Sequence, residues 1–106
     1  MCGIVGIFRH EDAISRFGER HTDIKDKIHS MTSTLSNRGP DSYGVFVSDD
    51  IALGHRRLKI LDLTDTGSQP MGLSDNGVKI SYNGEIFNYL KLKKQLQKKG
   101  HKFRGR

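Results

Sequence analysis

An α+β domain with a largely antiparallel sheet is the fold this sequence predicts, and three observations predict it. The apolar runs are short, rich in β-branched residues and bounded by turn residues. Two segments instead repeat their apolar residues every three or four positions, as helices do. The order along the chain is strand, helix, two or three strands, helix.

Residues 2–8 carry the small and β-branched run CGIVGIF and read as a buried strand, followed by the polar residues 9–12. Between residues 22 and 35 Ile24, Ile28, Met31 and Leu35 recur at spacings of four, three and four, which predicts a helix. Gly39-Pro40 cannot continue it, so residues 37–41 form its end. Residues 45–47 and 51–58 are strand-like and are joined by Ser48, Asp49 and Asp50, a hairpin signal, with residues 60–63 as an extension of the second run. Residues 64–76, rich in Gly, Ser, Thr, Asp and Pro, read as a loop. Residues 78–82 are a further strand and Asn83-Gly84 a turn. Phe87, Leu90 and the series Tyr89, Leu92, Leu96 then give a helix with lysines opposite, ended by Gly100.

A chain of 106 residues is one domain at most and affords a modest core. Its formal charge of +6 suggests nucleic acid until the distribution is inspected. Residues 91–106 hold eight Lys or Arg and no acid, whereas the first 90 residues set the other ten against all twelve acids. The basicity belongs to the tail. There is no apolar run of membrane-spanning length and no secretory signal, so the expectation is a cytoplasmic chain with no membrane partner. One cysteine excludes an intrachain disulfide and a thiolate metal site, and His10, His21, His29, His55 and His101 show no ligand spacing, so no metal is assigned. Walker and GxGxxG phosphate loops do not occur.

Three features could carry chemistry. A single cysteine is ordinarily a small buried hydrophobe, but Cys2 becomes the N-terminal residue once Met1 is removed, placing an α-amine (pKa about 7.7–8.0) beside a thiol (about 8.5). Asn83-Gly84 would ordinarily be a hairpin turn, yet it leads from a strand into a helix. There the glycine N–H and the asparagine amide can converge as two neutral donors, the requirement of a tetrahedral oxyanion. Arg56-Arg57 would ordinarily be a solvated pair. On an unbroken strand Arg57 shares a face with Ile51, Leu53 and His55, so one of the two arginines points to the packed side, where its planar fork suits a carboxylate.

MCGIVGIF at the start, NRGPDSYG at 37–44, GHRRLKILDL at 54–63, SQPM at 68–71 and YNGEIFNY at 82–89 occur in that order. Together they make the chain, from Cys2 to about Phe103, resemble the N-terminal glutaminase domain of glutamine-dependent asparagine synthetases, a class II, N-terminal-nucleophile glutamine amidotransferase. Amidotransferases feeding purine or glucosamine synthesis share the opening CGIVG, but the RGPD, RRLKILDL and NGEIFNY segments look like the asparagine synthetase branch. The resemblance implies the first half of a fold that stacks two largely antiparallel sheets between helical layers. It implies Cys2 as nucleophile with its own α-amine as base, Asn83 and the Gly84 N–H as oxyanion hole, and Arg57 as the group holding the α-carboxylate of L-glutamine. Leu58, Ile60 and Glu85 match positions lining the same pocket.

The implied reaction is thiolate attack on the glutamine side-chain amide, release of ammonia and hydrolysis of the thioester. The resemblance further implies a partner, a synthetase domain or subunit that consumes the ammonia. No cofactor is expected in residues 1–106, since ATP and Mg would belong to the synthetase domain. Asn37 stands where the family commonly has histidine, and the family's aspartate motif for the α-amine of glutamine would follow Arg106. The sequence therefore also carries the reading of a truncated, inert remnant, expected to fold marginally alone. A basic nucleic-acid module at residues 91–106 is the weaker alternative, because the lysines lie opposite Leu92 and Leu96 as on a solvated helix face, with no interleaved aromatic platform.

Overall fold

The computed structural model describes residues 1–10, 21–73 and 77–105; residues 11 and 12 of the first polar stretch, 74–76 of the long loop and 106 of the basic tail lie outside the described residues. In chain order the elements are β1 (Gly3–Phe8), α1 (His21–Thr34), β2 (Ser42–Val47), β3 (Ile51–Arg57), a 3-10 turn (Asp65–Gly67), β4 (Met71–Gly72), β5 (Lys79–Ile80) and α2 (Tyr89–Lys98). A three-stranded sheet in the order β1-β3-β2 and a two-stranded sheet β4-β5 are both antiparallel, giving a small α+β fold.

β3 is central because both of its edges are paired: Gly54 lies opposite Val5 on one side and Val45 on the other. The β2–β3 hairpin forms where Ser48, Asp49 and Asp50 predict it, closed by the Ser48 N–H donating to the Ile51 carbonyl at 2.8 Å. Arg9 ties the far end of β1 to that hairpin, its N–H reaching the Asp50 carbonyl at 2.7 Å and its Nη2 the Asp49 carbonyl at 2.8 Å.

Strand side chains alternate between faces, and here the two faces fare differently. On one face Ala52 lies with Val5, Ile7, Val45 and Val47 beneath Ile24 and Ile28 of α1, and these residues form the core. The predicted helix stripe holds for Ile24 and Ile28 but not for Met31, which is 36% exposed. Thr32 takes the buried position, one turn beyond Ile28, and its hydroxyl is satisfied by the Ile28 carbonyl at 2.6 Å. On the other face Ile4, Phe8 and Ile51 are exposed, so β1 is covered on one side only and not buried throughout as its sequence suggested.

Other boundaries differ for identifiable reasons. β3 stops at Arg57, without the expected extension to residue 63, because the next two N–H groups leave the ladder: Leu58 donates to Cys2 Sγ at 3.3 Å and Lys59 to Asp41 Oδ2 at 2.7 Å. The strand expected at 78–82 shrinks to Lys79–Ile80, and its partner Met71–Gly72 falls in the stretch read as a loop. The last helix begins at Tyr89, leaving Phe87 exposed before it, and Leu92 and Leu96 are only partly covered. It ends as expected, with Gly100 at φ +92° and the His101 N–H turning back to the Leu96 carbonyl at 3.0 Å.

Ile28, fully buried between α1 and the sheet, is the residue whose truncation tests this packing. Ile28→Ala is expected to cost about 2–5 kcal/mol, whereas Met31→Ala should cost well under about 1 kcal/mol. Urea unfolding followed by circular dichroism measures both. Equal losses at the two positions would contradict the observed helix orientation.

Candidate active site

Every residue singled out from sequence for the site, Cys2, Arg57, Leu58, Ile60, Asn83, Gly84 and Glu85, lines one open cavity of about 430 Å³. Three chain segments build it. The start of β1 brings Cys2, the end of β3 brings Arg57 and the turn after it, and the segment after β5 brings Asn83, Gly84 and Glu85. A larger groove of about 760 Å³ lies between the Asp62–Ile80 stretch and the tail around Phe103, but it contains none of these residues.

Register places the thiol. Gly3 pairs with Arg56, so Cys2, one residue earlier, meets the chain where β3 ends. Its half-buried Sγ accepts from the Leu58 N–H at 3.3 Å and lies 3.8 Å from the Leu58 carbonyl. The Cys2 carbonyl in turn accepts from Arg38 Nε at 3.5 Å. In this chain the Cys2 nitrogen is still joined to Met1, which sits at the rim of the cavity.

Arg57 is the buried arginine of the pair, at 7% exposure. Arg56 instead rests over the Tyr43 ring at 5.4 Å. In place of the expected anion, backbone carbonyls hold Arg57: Nη1 donates to the Thr64 carbonyl at 2.6 Å and Nη2 to the Asp62 carbonyl. Among the described residues no carboxylate forms an ion pair with Arg57. The carbonyls are aimed by a knot of local bonds that sequence reading missed. Asp62 Oδ1 accepts from the Thr64 N–H at 2.8 Å and the Thr64 hydroxyl at 2.5 Å, and Oδ2 from the Thr66 hydroxyl at 2.8 Å. Those bonds, led by the Thr64 hydroxyl, lower the Asp62 pKa to about 2. The D-x-T-x-T spacing was the available signal, since Asp and Thr close such turns with their side chains. Gly67 completes the seat, because a Cβ there would collide with the Arg57 guanidinium.

The Asn83-Gly84 segment is anchored from behind. The Tyr82 N–H donates to Gln69 Oε1 at 2.6 Å, the Tyr82 carbonyl lies 3.1 Å from His55 Nε2, and the Ser81 hydroxyl donates to the Gly54 carbonyl at 3.2 Å. His55 is buried at 1% exposure. Burial is the main cause that pushes its pKa below the usual 6.5; the bond to Tyr82 acts upward and the nearby Arg57 charge acts downward. Among the described residues no three His, Cys, Asp or Glu side chains converge as a metal site would require, and no helix is long and apolar enough to cross a membrane.

A thiol, an arginine held by backbone carbonyls and an Asn-Gly turn thus surround one small cavity, placing a candidate nucleophile beside a fixed cation. The chain belongs to the family of glutamine amidotransferase domains, whose pattern matches residues 1–106. It is 37% identical over 103 residues to asparagine synthetase [glutamine-hydrolyzing] 1 of Bacillus subtilis, covering 97% of this chain and 15% of that protein. To the putative asparagine synthetase [glutamine-hydrolyzing] 2 of Methanocaldococcus jannaschii it is 41% identical over 114 residues, covering 91% of this chain and 20% of that protein. Amidase chry2 of Gibberella zeae is 36% identical over 101 residues, covering 91% of this chain and 15% of that protein. The chain is thus homologous to the N-terminal part of glutamine-hydrolysing asparagine synthetases and spans only a fifth or less of these relatives.

A neutral buried His55 makes stability depend on pH in a defined direction. The unfolded chain binds a proton near the ordinary 6.5 while the folded chain resists it, so this contribution is intact above about pH 6.5 and lost progressively as pH falls. Comparing urea midpoints at about pH 7.5 and about pH 5.5, the native chain should lose more stability than His55→Gln. An identical loss in both would show that His55 does not carry the effect.

Proposed function

We propose that this chain supplies the glutamine-binding and thiol machinery of a glutamine amidotransferase that hydrolyses the side-chain amide of L-glutamine to release ammonia. The observation that carries the reading is the convergence of Cys2, Arg57 and Asn83-Gly84 on one cavity from three separate segments. In this reading Met1 is removed and the Cys2 α-amine takes the thiol proton. The thiolate attacks the amide carbon. The resulting oxyanion is held by the Asn83 side-chain amide and the Gly84 N–H, donors of the kind worth about 3–4 kcal/mol to the transition state. On collapse the amide nitrogen takes the proton of the α-ammonium and departs as ammonia, leaving a thioester. Water, deprotonated by the same amine, cleaves it to glutamate and restores the thiol.

Arg57, fixed by two carbonyls, grips the α-carboxylate in this scheme, while Leu58 and Ile60 flank the substrate and Glu85 presents a carboxylate of the sign suited to its α-ammonium. By family membership the fold is part of an N-terminal-nucleophile sandwich of two stacked sheets, and the exposed face of Ile4, Phe8 and Ile51 is where a second sheet would pack. That bare face also favours the second reading, in which residues 1–106 alone lack turnover because both core and pocket need more chain. The ammonia would serve a synthetase domain or subunit, as the relatedness to asparagine synthetases suggests, and ATP and Mg would act there.

The reading requires Cys2 to be N-terminal, so intact mass on protein from cells should show Met1 absent. Where glutamate release is measured, Cys2→Ala should abolish it, and Asn83→Ala should lower kcat by about 10²–10³ with a smaller change in KM. Retained Met1, or a Cys2→Ala variant with most of the activity, would exclude the thioester route.

A further inference from the structure

Beyond Ile80 the chain has no sheet partner until α2, yet the residues proposed to hold the oxyanion lie in that stretch. Peptide planarity ties the Tyr82 carbonyl rigidly to the Asn83 N–H, so whatever fixes that carbonyl also fixes the direction in which the Asn83 backbone sets out. His55 is what reaches it, from the central strand β3, which is paired on both edges, and from a position with 1% exposure. A carbonyl can only accept, so Nε2 carries the proton and the bond has a defined polarity.

Resting on the function proposed above, we propose that His55 is the positioning residue of the oxyanion hole: its Nε2–H holds the Tyr82 carbonyl and orients Asn83 and Gly84 toward Cys2. The other two anchors of the segment come from elsewhere or act earlier. Gln69 sits on a loop, and Ser81 bonds one residue upstream. Among the described residues, His55 alone couples the three-stranded sheet to the peptide entering the turn. A glutamine side chain can place an N–H close to where Nε2 lies, whereas leucine fills the space without a donor.

The experiment uses residues 1–106 with His55→Gln and His55→Leu and has two arms. Backbone 15N relaxation reads the turn without any need for turnover. Order parameters at Asn83 and Gly84 should fall from near 0.85 toward 0.6 or below in His55→Leu, return to native values in His55→Gln, and stay unchanged in β2 throughout. In the second arm, glutamine hydrolysis by His55→Leu should show kcat reduced about 10–100-fold with KM within about twofold, again restored by glutamine. Equal damage from both substitutions would reduce His55 to a packing residue and overturn the proposal, as would an unaltered turn in His55→Leu. Absence of turnover in the native chain would favour the second reading given above, in which the pocket needs more chain, while the relaxation arm still decides the role of His55.

Discussion

The antiparallel register of β1 on β3 is the constraint on which the site depends. Pairing Gly3 with Arg56 sets Cys2 beside the end of β3, where the Leu58 N–H points at its sulfur. The same register puts Val5 and Ile7 under α1, so the alignment that buries the core also places the thiol. A slip of one residue would turn Val5 and Ile7 away from Ile24 and Ile28 and carry Cys2 away from Leu58. Burial of a few aliphatic side chains therefore enforces the position of the Cys2 thiol just before β1.

Around that thiol the protein arranges groups with little freedom of their own. Arg57 is desolvated and held by two backbone carbonyls, which orient the guanidinium without neutralising it. A carboxylate partner from the protein would have quenched the charge a substrate needs. The Asp62 carboxylate, which feels the Arg57 charge, spends its oxygens on Thr64 and Thr66. In the proposed scheme the Asn83-Gly84 turn, which lines the same cavity, would offer neutral donors suited to a charge that appears only in the transition state.

Much of this was legible in the sequence. The α+β class, the hairpin at Ser48, Asp49 and Asp50, and the Gly100 helix end follow from local chemistry, and five ordered motifs located seven of the thirteen residues that line the cavity. What escaped reading depended on tertiary context. Met31 and Thr32 exchanged roles because a hydroxyl that bonds its own helix can be buried, which periodicity of apolar residues cannot foresee. The pairing of Met71–Gly72 with Lys79–Ile80 is too short for any alternation to show. His55 has no metal-ligand spacing to mark it, and its bond to Tyr82 spans 27 residues of chain, beyond the reach of any local pattern. The polar turn beginning at Asp62 was readable from its Asp and Thr spacing, but its target, Arg57, was not.

The central claim is that Cys2 and Arg57 share one cavity that accepts glutamine. The rate at which a small neutral alkylating reagent modifies Cys2, followed by intact mass while L-glutamine is raised, tests it most directly. The account predicts saturable protection by L-glutamine, weak or absent with D-glutamine, and lost in Arg57→Gln although that variant's thiol remains reactive. Cys2 alkylation indifferent to glutamine, or protection undiminished in Arg57→Gln, would contradict it.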